Sequence, residues 1–267
     1  MVTILLLLCV VILAITAWKK DALTERGVIA SVVVGAFISI GASLAGLLLL
    51  GAFFISSSLI GRVLKNVNAD NDIEDKGETR DEKQVLANGG MAALASLAFL
   101  ITGENLWLTG LIGSLAAANS DTWASSIGKM SPSPPTLVLS RRRALPGQSG
   151  GTTLLGHIAG LLGSTFIILV AFSVNLFNFL GEMPLLMWLI LIVAGYAGQY
   201  SDALAGRFLQ SLYKCPHCGA LTEKTTHCLI EADLVKGFPR VTNDVVNVVC
   251  TFTGLVIGML TGYLFNI

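Results

Sequence analysis

The sequence predicts an all-α protein, a polytopic bundle of transmembrane helices. Hydrophobic residues make up 54% of the 267 residues and charged residues only 13%, and the mean hydropathy is +0.75. A soluble domain carries about 25% charged residues. The apolar residues are gathered into segments near the roughly 20 residues that a helix needs to cross a bilayer. The formal net charge of zero provides no basic field of the kind that attracts nucleic acid.

Seven or eight such segments are predicted, and they make the whole chain, 1–267, one integral-membrane domain. The first has no basic region before it and no small-residue cleavage site after it, so we expect a retained helix. The second is short and bounded by glycine, and it can also form a re-entrant hairpin with the third. The eight predicted segments are 2–18, 24–41, 43–61, 85–101, 106–128, 151–175, 184–212 and 241–266.

The basic residues test this count. With eight segments, all 17 Lys and Arg residues lie at one face, and the opposite connections, near Gly41, at 102–105 and at 175–184, carry none. The positive-inside rule makes the charged face cytoplasmic, and the plasma membrane is the expected location. The predicted cytoplasmic loops are a charged loop at 62–84, a basic Pro/Gly loop at 129–150 and a Cys/His loop at 213–240.

Two aspartates within the apolar segments belong to an internal repeat. Ser120-Asp121 and Ser201-Asp202 both read Ser-Asp-x-x-Ala, and each ends a pair of segments. The pairs begin at Asn88-Gly89-Gly90 and Ser149-Gly150-Gly151, which we expect to be turns. Both pairs run in the same orientation, and parallel repeats often frame a site at their interface. Because a carboxylate at membrane depth is costly, we interpret the two aspartates as the centre of a polar site.

The residue types around these aspartates suit a hard cation and a phosphate. Mg²⁺ prefers oxygen ligands, while arginine forks and a glycine turn before a helix N-terminus suit phosphate. Together they predict phosphoryl transfer. The predicted catalytic residues are Asp121, Asp202, Arg141 and Arg207. The predicted Mg²⁺ ligands are Asp121, Asp202, Asn243, Asp244 and Asn247. Nucleotide or phosphate contacts are predicted for Asn119, Ser120, Lys129, Arg142, Arg143, Gly147, Ser149, Gly150, Gly151, Thr152 and Arg240.

Structural roles stay open for several of these residues. The two aspartates can instead cap or cross-link helices within the bundle. Thr242 or Asn243 can be the N-cap of the last segment, which does not exclude a ligand role. We expect His157, one turn into the sixth segment, to form a hydrogen bond within the bundle rather than to act in catalysis.

The loop at 213–240 carries a metal-binding pattern. Cys215-Pro216-His217-Cys218 supplies a Cys-x-x-Cys turn, and His227-Cys228 follows it. Three cysteines and one histidine can form a tetrahedral zinc site. The expected ligands are Cys215, Cys218, Cys228 and either His217 or His227. Such a zinc ion would be structural, and the alternative is a loop of reduced cytosolic thiols.

Several motifs resemble a known family, namely Asn88-Gly89-Gly90, 120–128, Ser133-Pro134-Pro135, 146–152, Ser201-Asp202 and 243–247. Over residues 26–262 the chain is similar to the integral-membrane family of the domain of unknown function ninety-two, which includes the phytyl phosphate kinase of plastids and human transmembrane protein nineteen. A weaker similarity, from Asp121 to Pro132, is to CTP-using polyprenol kinases and membrane cytidylyltransferases.

These resemblances imply a Mg²⁺-dependent kinase. Its substrates would be CTP, or another nucleoside triphosphate, and an isoprenoid monophosphate of the phytyl or geranylgeranyl type, which becomes a diphosphate. A transporter or flippase for a lipid phosphate such as polyprenyl phosphate is the alternative. It also needs charges at membrane depth, a parallel repeat and basic loops, but it needs no nucleotide.

Overall fold

The computed structural model describes residues 1–64, 79–140, 142–176, 179 and 181–267, and within them it confirms a bundle of long helices. Much of the predicted charged loop at 62–84 lies outside these residues. Six of the helices are long and apolar enough to cross a membrane, namely all except α4. The helices are α1 (Val2–Lys19), α2 (Glu25–Leu64), α3 (Glu82–Thr102), α4 (Leu106–Gly128), α5 (Leu154–Asn175), α6 (Leu185–Phe208) and α7 (Asn243–Leu264).

Helix α2 is a hairpin of two helical arms. The chain reverses at Ser43, where φ is 55° and ψ is −149°. At the start of α2 the amide of Thr24 donates to the carbonyl of Arg80, and near its end Arg62 donates to the carbonyl of Lys20. A straight helix of this length would separate those positions by more than about 50 Å. The predicted second and third segments are therefore the two arms of one hairpin.

Helix α4 lies at the centre of the bundle, in contact with α2, α3, α5, α6 and α7. Every residue from Leu108 to Ser120 is buried. Small residues bring the neighbouring backbones close, as is usual between membrane helices. A Cβ on Gly254 of α7 would lie 2.7 Å from the Cβ of Ala117 and 2.9 Å from the carbonyl carbon of Gly113. Because other helices surround α4, it does not face lipid. Its surface can therefore be less apolar than the surfaces of its neighbours.

The predicted repeat corresponds to the helix pairs α3–α4 and α5–α6, which run in the same orientation. One detail of the prediction is wrong, because Gly89 and Gly90 lie within α3 rather than at a turn before it. A Cβ on Gly89 would lie 2.8 Å from the side chain of Val34, so this glycine allows α3 to approach the α2 hairpin.

Two loops with short strands cover one end of the bundle. In the first, β1 (Thr136–Leu137) pairs with β2 (Gly151–Thr152). In the second, β3 (Leu212–Lys214) lies between β4 (Leu221–Thr222) and β7 (Asp233–Lys236), while β5 (Thr226–His227) pairs with β6 (Ile230–Glu231). The described basic residues all lie at this end, in loops or in the adjacent helix turns. This agrees with the predicted grouping of positive charge at one face.

Candidate functional site

Asp121 and Asp202 lie at equivalent positions of the parallel helices α4 and α6. Gly198 packs against Ala117, and a Cβ on this glycine would lie 3.4 Å from the Cα of Ala117. Asp121 lies four residues after Ala117, and Asp202 lies four residues after Gly198. Both are therefore nearer to the end of the bundle that the loops cover. The carboxyl groups are close enough to interact electrostatically. About two helical turns, or roughly 10 Å, separate them from the loop ends of their helices.

Helix α7 supplies a third wall to this polar niche. The thiol of Cys250 donates to the carbonyl of Ala117 at 3.5 Å, which fixes the antiparallel register of α7 and α4. One turn nearer the loops, the buried Asn247 is level with Asp121. Asn247 of α7 is therefore at about the same depth in the bundle as Asp121 of α4 and Asp202 of α6. Asp244 is also buried and lies one turn further toward the loops.

The niche contains buried oxygen atoms that lack a hydrogen-bond donor within the described part of the chain. They are Oδ1 of Asp202 and Oε1 of Gln199. A buried polar atom without a partner is destabilising, so this arrangement suits a bound cation or an incoming donor. Sequence reasoning missed Gln199. The available signal was its spacing of three residues from Asp202, which places both side chains on one face of α6.

The N-terminus of α7 differs in part from the predicted cap and ligand positions. Thr242 occupies the N-cap position, but its side chain forms no capping hydrogen bond. Asn243 is the first residue of the helix and is exposed, while Asn247 is buried. Asn243 therefore lies at the rim of the niche, and Asp244 and Asn247 lie inside the bundle.

Asn119 and Ser120, predicted to contact nucleotide or phosphate, form hydrogen bonds within the helix bundle. Both side chains are fully buried and cross-link helices. The Asn119 Nδ2 donates to the carbonyl of Gly163 at 2.8 Å, and its Oδ1 accepts from Ser56 Oγ at 2.9 Å. The Ser120 hydroxyl donates to the carbonyl of Gly160 at 2.8 Å. Their side chains point away from the niche because neighbouring positions on a helix face different directions.

The basic Pro/Gly loop is attached to the end of α6. The guanidinium of Arg207 donates to the carbonyl of Val138 and lies 4.8 Å from the ring centre of Phe208. Gly150 has a φ of +82°, and a Cβ there would lie 2.6 Å from the Arg207 backbone. Only glycine combines this conformation with so close an approach. Arg207, predicted to be catalytic, thus helps to hold the loop in place.

The other predicted phosphate-binding residues, apart from Arg240, are spread along the connection between α4 and α5. Gly151 and Thr152 form β2, and Gly147 has a φ of +76°. Arg142 and Arg143 are exposed, and Lys129 directly follows α4. Arg141, the remaining predicted catalytic residue, lies outside the described residues.

The basic Pro/Gly loop and the Cys/His loop are hydrogen-bonded to each other. Ser149 Oγ donates to Glu223 Oε1 at 3.0 Å. Lys236 Nζ donates to the carbonyl of Gly206 at 2.9 Å and to that of Ser149 at 3.3 Å. Burial lowers the pKa of Lys236; the neighbouring Glu223 opposes this shift and the charge of Arg207 adds to it.

A cavity of about 530 Å³ lies between the Cys/His loop and the N-terminus of α7. Lys224, Arg240 and Thr242 contribute to its lining, together with Glu223. Glu223 is also an electrostatic neighbour of Asp202, so the cavity adjoins the aspartate niche. Its cations and the first amides of α7 suit an anion. Of the residues predicted to bind phosphate, Arg240 is the one that lines this cavity.

A second cavity, of about 500 Å³, lies at the N-terminus of α5. Hydroxyl-bearing residues of the basic Pro/Gly loop line much of it, including Ser133 and Thr152, and His157 lies at its inner end. His157 Nδ1 is 2.9 Å from the hydroxyl of Tyr196, which confirms the expected hydrogen bond within the bundle. Thr153 caps α5 by accepting from the amide of Gly156 at 3.0 Å.

Arg80 is a half-buried cation that sequence reasoning did not assign to a role. Its guanidinium lies 5.4 and 5.1 Å from the ring centres of Phe53 and Phe54 and donates to Ser57 Oγ at 2.8 Å. Burial lowers the pKa of Arg80 to about 10. Its backbone pairs with Ala22 and Thr24. Arg80 therefore joins the segment before α3 to the α2 hairpin.

The predicted Cys/His cluster is assembled in the second loop. The ligand atoms of Cys215, Cys218, His227 and Cys228 all lie within 4.8 Å of one another. His217 is exposed and outside the group, so the structure selects His227 from the two candidates. Hydrogen bonding from the Cys218 backbone lowers the pKa of Cys215 to about 6. Hydrogen bonding with the neighbouring Cys218 thiol raises the pKa of Cys228 to about 11, and Cys215 adds to this effect.

These features define a polytopic integral membrane protein with a polar niche near one end of its helix bundle. Residues 8–255 match the family described as integral membrane protein DUF92, so the chain belongs to that family. The match confirms the resemblance seen in the motifs.

Two of the relatives are uncharacterized membrane proteins. One, from Methanocaldococcus jannaschii, is 33% identical over 258 residues, which is 96% of this chain and 92% of the relative. Another, from Synechocystis, is 25% identical over 244 residues, or 90% and 83% of the two chains. Protein PGR of Arabidopsis thaliana is 29% identical over 219 residues, or 74% and 76%. No solved structure matches the chain.

Proposed function

We propose that this protein is a membrane-bound phosphotransferase that phosphorylates an isoprenoid monophosphate. The donor is CTP or another nucleoside triphosphate, and the product is the isoprenoid diphosphate. The observation that carries the proposal is the pair Asp121 and Asp202, which interact electrostatically with each other, while Asp202 also interacts with Glu223 of the cavity lined by Arg240 and Lys224. A carboxylate pair next to a cationic cavity suits a metal-assisted reaction of phosphates. The motif resemblance indicates the class of lipid. The protein is expected to lie in the plasma membrane, with its site facing the cytoplasm.

Mg²⁺ fits the residues of the niche. The two carboxylates and the side-chain oxygen of Asn247 are hard ligands of the kind this ion prefers. The buried Oδ1 of Asp202, which has no donor within the described residues, supports a cation at this point. Asp244 and Asn243 lie one turn further out and can bind through water. When bound, the ion would neutralise charge on the transferring phosphoryl group and on the leaving diphosphate.

In this proposal the chain's own residues orient the nucleotide. Arg240, Lys224 and the first amides of α7 hold the triphosphate in the larger cavity, whose lining residue Glu223 also interacts electrostatically with Asp202. The exposed Arg142 and Arg143 raise the local concentration of anionic substrates. Arg207 and Gly150 keep the loop between α4 and α5 against the end of α6.

The reaction needs no strong base. An oxygen of the lipid monophosphate attacks the γ-phosphorus, and the bond from that phosphorus to the bridging oxygen breaks. The nucleoside diphosphate leaves with that electron pair. The attacking oxygen already carries negative charge near neutral pH, because the second pKa of a phosphate monoester is about 6.

The test is transfer of labelled γ-phosphate from CTP to phytyl or geranylgeranyl phosphate by purified protein with Mg²⁺, with ATP, GTP and UTP in parallel. Asp121→Asn should lower kcat by at least about 100-fold, the effect of removing one well-placed electrostatic group. Arg240→Gln should raise KM for the nucleotide and leave KM for the lipid unchanged. Glu104→Gln, an exposed change at the other end of the bundle, is the matched control.

Two outcomes would overturn the proposal. One is the absence of transfer with every nucleotide and several prenyl phosphates, by protein that is folded. The other is full activity in Asp121→Asn. Movement of a labelled polyprenyl phosphate across liposomes in the same preparation, without nucleotide, would favour the transporter instead.

A further inference from the structure

Two tight turns in the Cys/His loop place four metal-ligand side chains together, away from the aspartate niche. Cys215 and Cys218 lie in the turn between β3 and β4, where Gly219 has a φ of +75° and donates to the carbonyl of Cys215. His227 ends β5, and Cys228 begins the next turn with a φ of 51°. A strained backbone at a cysteine is consistent with a site that holds its side chain in place.

Three of the distances between the ligand atoms are close to those around one tetrahedral metal ion, and all four ligand atoms lie within 4.8 Å of one another. Sγ of Cys228 lies 3.7 Å from Sγ of Cys218 and 3.2 Å from Nδ1 of His227, which is 3.5 Å from Sγ of Cys218. With bonds of about 2.3 Å to sulfur and 2.1 Å to nitrogen, tetrahedral geometry separates ligand atoms by roughly 3.5–3.8 Å. A disulfide would need a sulfur separation of about 2.0 Å, and these cysteines are free.

We propose that Cys215, Cys218, His227 and Cys228 bind one zinc ion, with His227 coordinating through Nδ1. Three sulfurs and one imidazole nitrogen are soft donors that select zinc over Mg²⁺ or Ca²⁺. Since the protein supplies all four ligands, the ion has no open position for a substrate, and the site is structural.

The zinc site also adjoins one wall of the larger cavity, because the ligand His227 directly follows the lining residue Thr226. Residues 223–226 connect Cys218 and β4 to His227, so ligands clamp this segment at both ends. The same segment lines the cavity, and Glu223 accepts the hydrogen bond from Ser149. A bound zinc ion would therefore fix the cavity wall that contains Glu223, the electrostatic neighbour of Asp202. Only this last role rests on the proposed function, since zinc binding itself does not require a kinase.

The test begins with metal analysis of the purified full-length protein by plasma mass spectrometry, after expression with zinc and removal of loosely bound ions. About one zinc per chain is expected. Cobalt exchanged into the site should give the intense visible bands of tetrahedral coordination and a sulfur-to-cobalt charge-transfer band. His227→Ala and Cys228→Ser should lose the ion, whereas the matched controls His217→Ala and Cys250→Ser should keep it.

The unmodified protein alone can overturn the proposal, whether or not a variant folds. Zinc-free protein after incubation with zinc sulfate would refute it, and so would an octahedral cobalt spectrum. Loss of zinc in His217→Ala but not in His227→Ala would contradict the assigned ligands. A zinc-loaded protein without kinase activity would refute the proposed function and leave the zinc site supported. An active protein without zinc would refute the zinc site and leave the proposed function supported.

Discussion

Replacing Asp202 by asparagine distinguishes a metal-binding pair from a structural one. Neither Asp121 nor Asp202 forms an ion pair within the described residues, and the two interact with each other. Where both carboxyl groups are ionised, repulsion between the two charges is on the order of 2 kcal/mol at an effective dielectric of about 20. The variant removes this repulsion. In EDTA we therefore expect Asp202→Asn to be more stable than the unchanged protein by about 1–2 kcal/mol.

With Mg²⁺ we expect the unchanged protein to be more stable than Asp202→Asn, the reverse of their order in EDTA. A ligand at 100 times its Kd stabilises the native state by about 2.7 kcal/mol. The unchanged protein should gain this stabilisation, while the variant, with one carboxylate, should gain little. For a chain of this size, 1 kcal/mol corresponds to a shift in Tm of about 2–4 °C. The predicted shift on adding Mg²⁺ is thus about 5–10 °C for the unchanged protein.

Thermal unfolding in detergent at constant ionic strength, with EDTA or with Mg²⁺, measures both effects. Ca²⁺ and added monovalent salt separate specific binding from screening. Glu104→Gln removes a carboxylate at the other end of the bundle and should follow the unchanged protein in both buffers. If Asp202→Asn is less stable in EDTA and the unchanged protein gains nothing from Mg²⁺, the aspartates are structural cross-links and the magnesium argument fails.

Three further predictions concern packing and charge. Asn119→Ala should lower the free energy of unfolding by about 1–3 kcal/mol, since it removes two interhelical hydrogen bonds; an unchanged stability, with weaker nucleotide binding, would restore its predicted phosphate role. Gly254→Ala should lower that free energy by about 1–3 kcal/mol through overpacking against α4, while Gly51→Ala, whose Cβ meets open space, should not; equal effects in chemical unfolding would contradict this packing. Because burial lowers the pKa of Lys236, the unfolded chain binds more protons between that pKa and 10.5, so the unchanged protein should gain stability relative to Lys236→Gln as the pH rises toward 10.5. Parallel stability curves for the two proteins would contradict this.

The helices were predictable because hydrophobic length and the position of charge act over whole segments. Even the reversal at Ser43 was visible, since two apolar segments meet near Gly41 without a polar loop between them. Placing that connection opposite the basic loops was the only arrangement that kept every positive charge at one face. The charged residues that flank the apolar segments then indicated where the segments begin and end.

The directions of individual side chains were not predictable in this way. Asn119, Ser120 and Asp121 are consecutive, yet the first two contact α5 and the third faces α6 and α7. Successive helical residues are rotated by about 100°, so a polar run cannot be assigned to one site without the packing of the helix. The contacts between loops, such as Ser149 with Glu223, depend on folding at long range and leave no local pattern.

The position of the least apolar helix follows from the same physics. α4 carries Asn119, Ser120 and Asp121, and it is surrounded by helices that each have enough apolar surface to face lipid. A helix with these polar groups is stable at membrane depth only where protein satisfies them. Asn119 and Ser120 are satisfied by α2 and α5, which leaves Asp121 and its counterpart in the repeat as a pair that forms no ion pair with any group in the described part of the chain. A repeat that brings two like charges together lowers stability unless a cation binds between them or one carboxyl group holds a proton, and the first case is the physical reason to look for the metal there first.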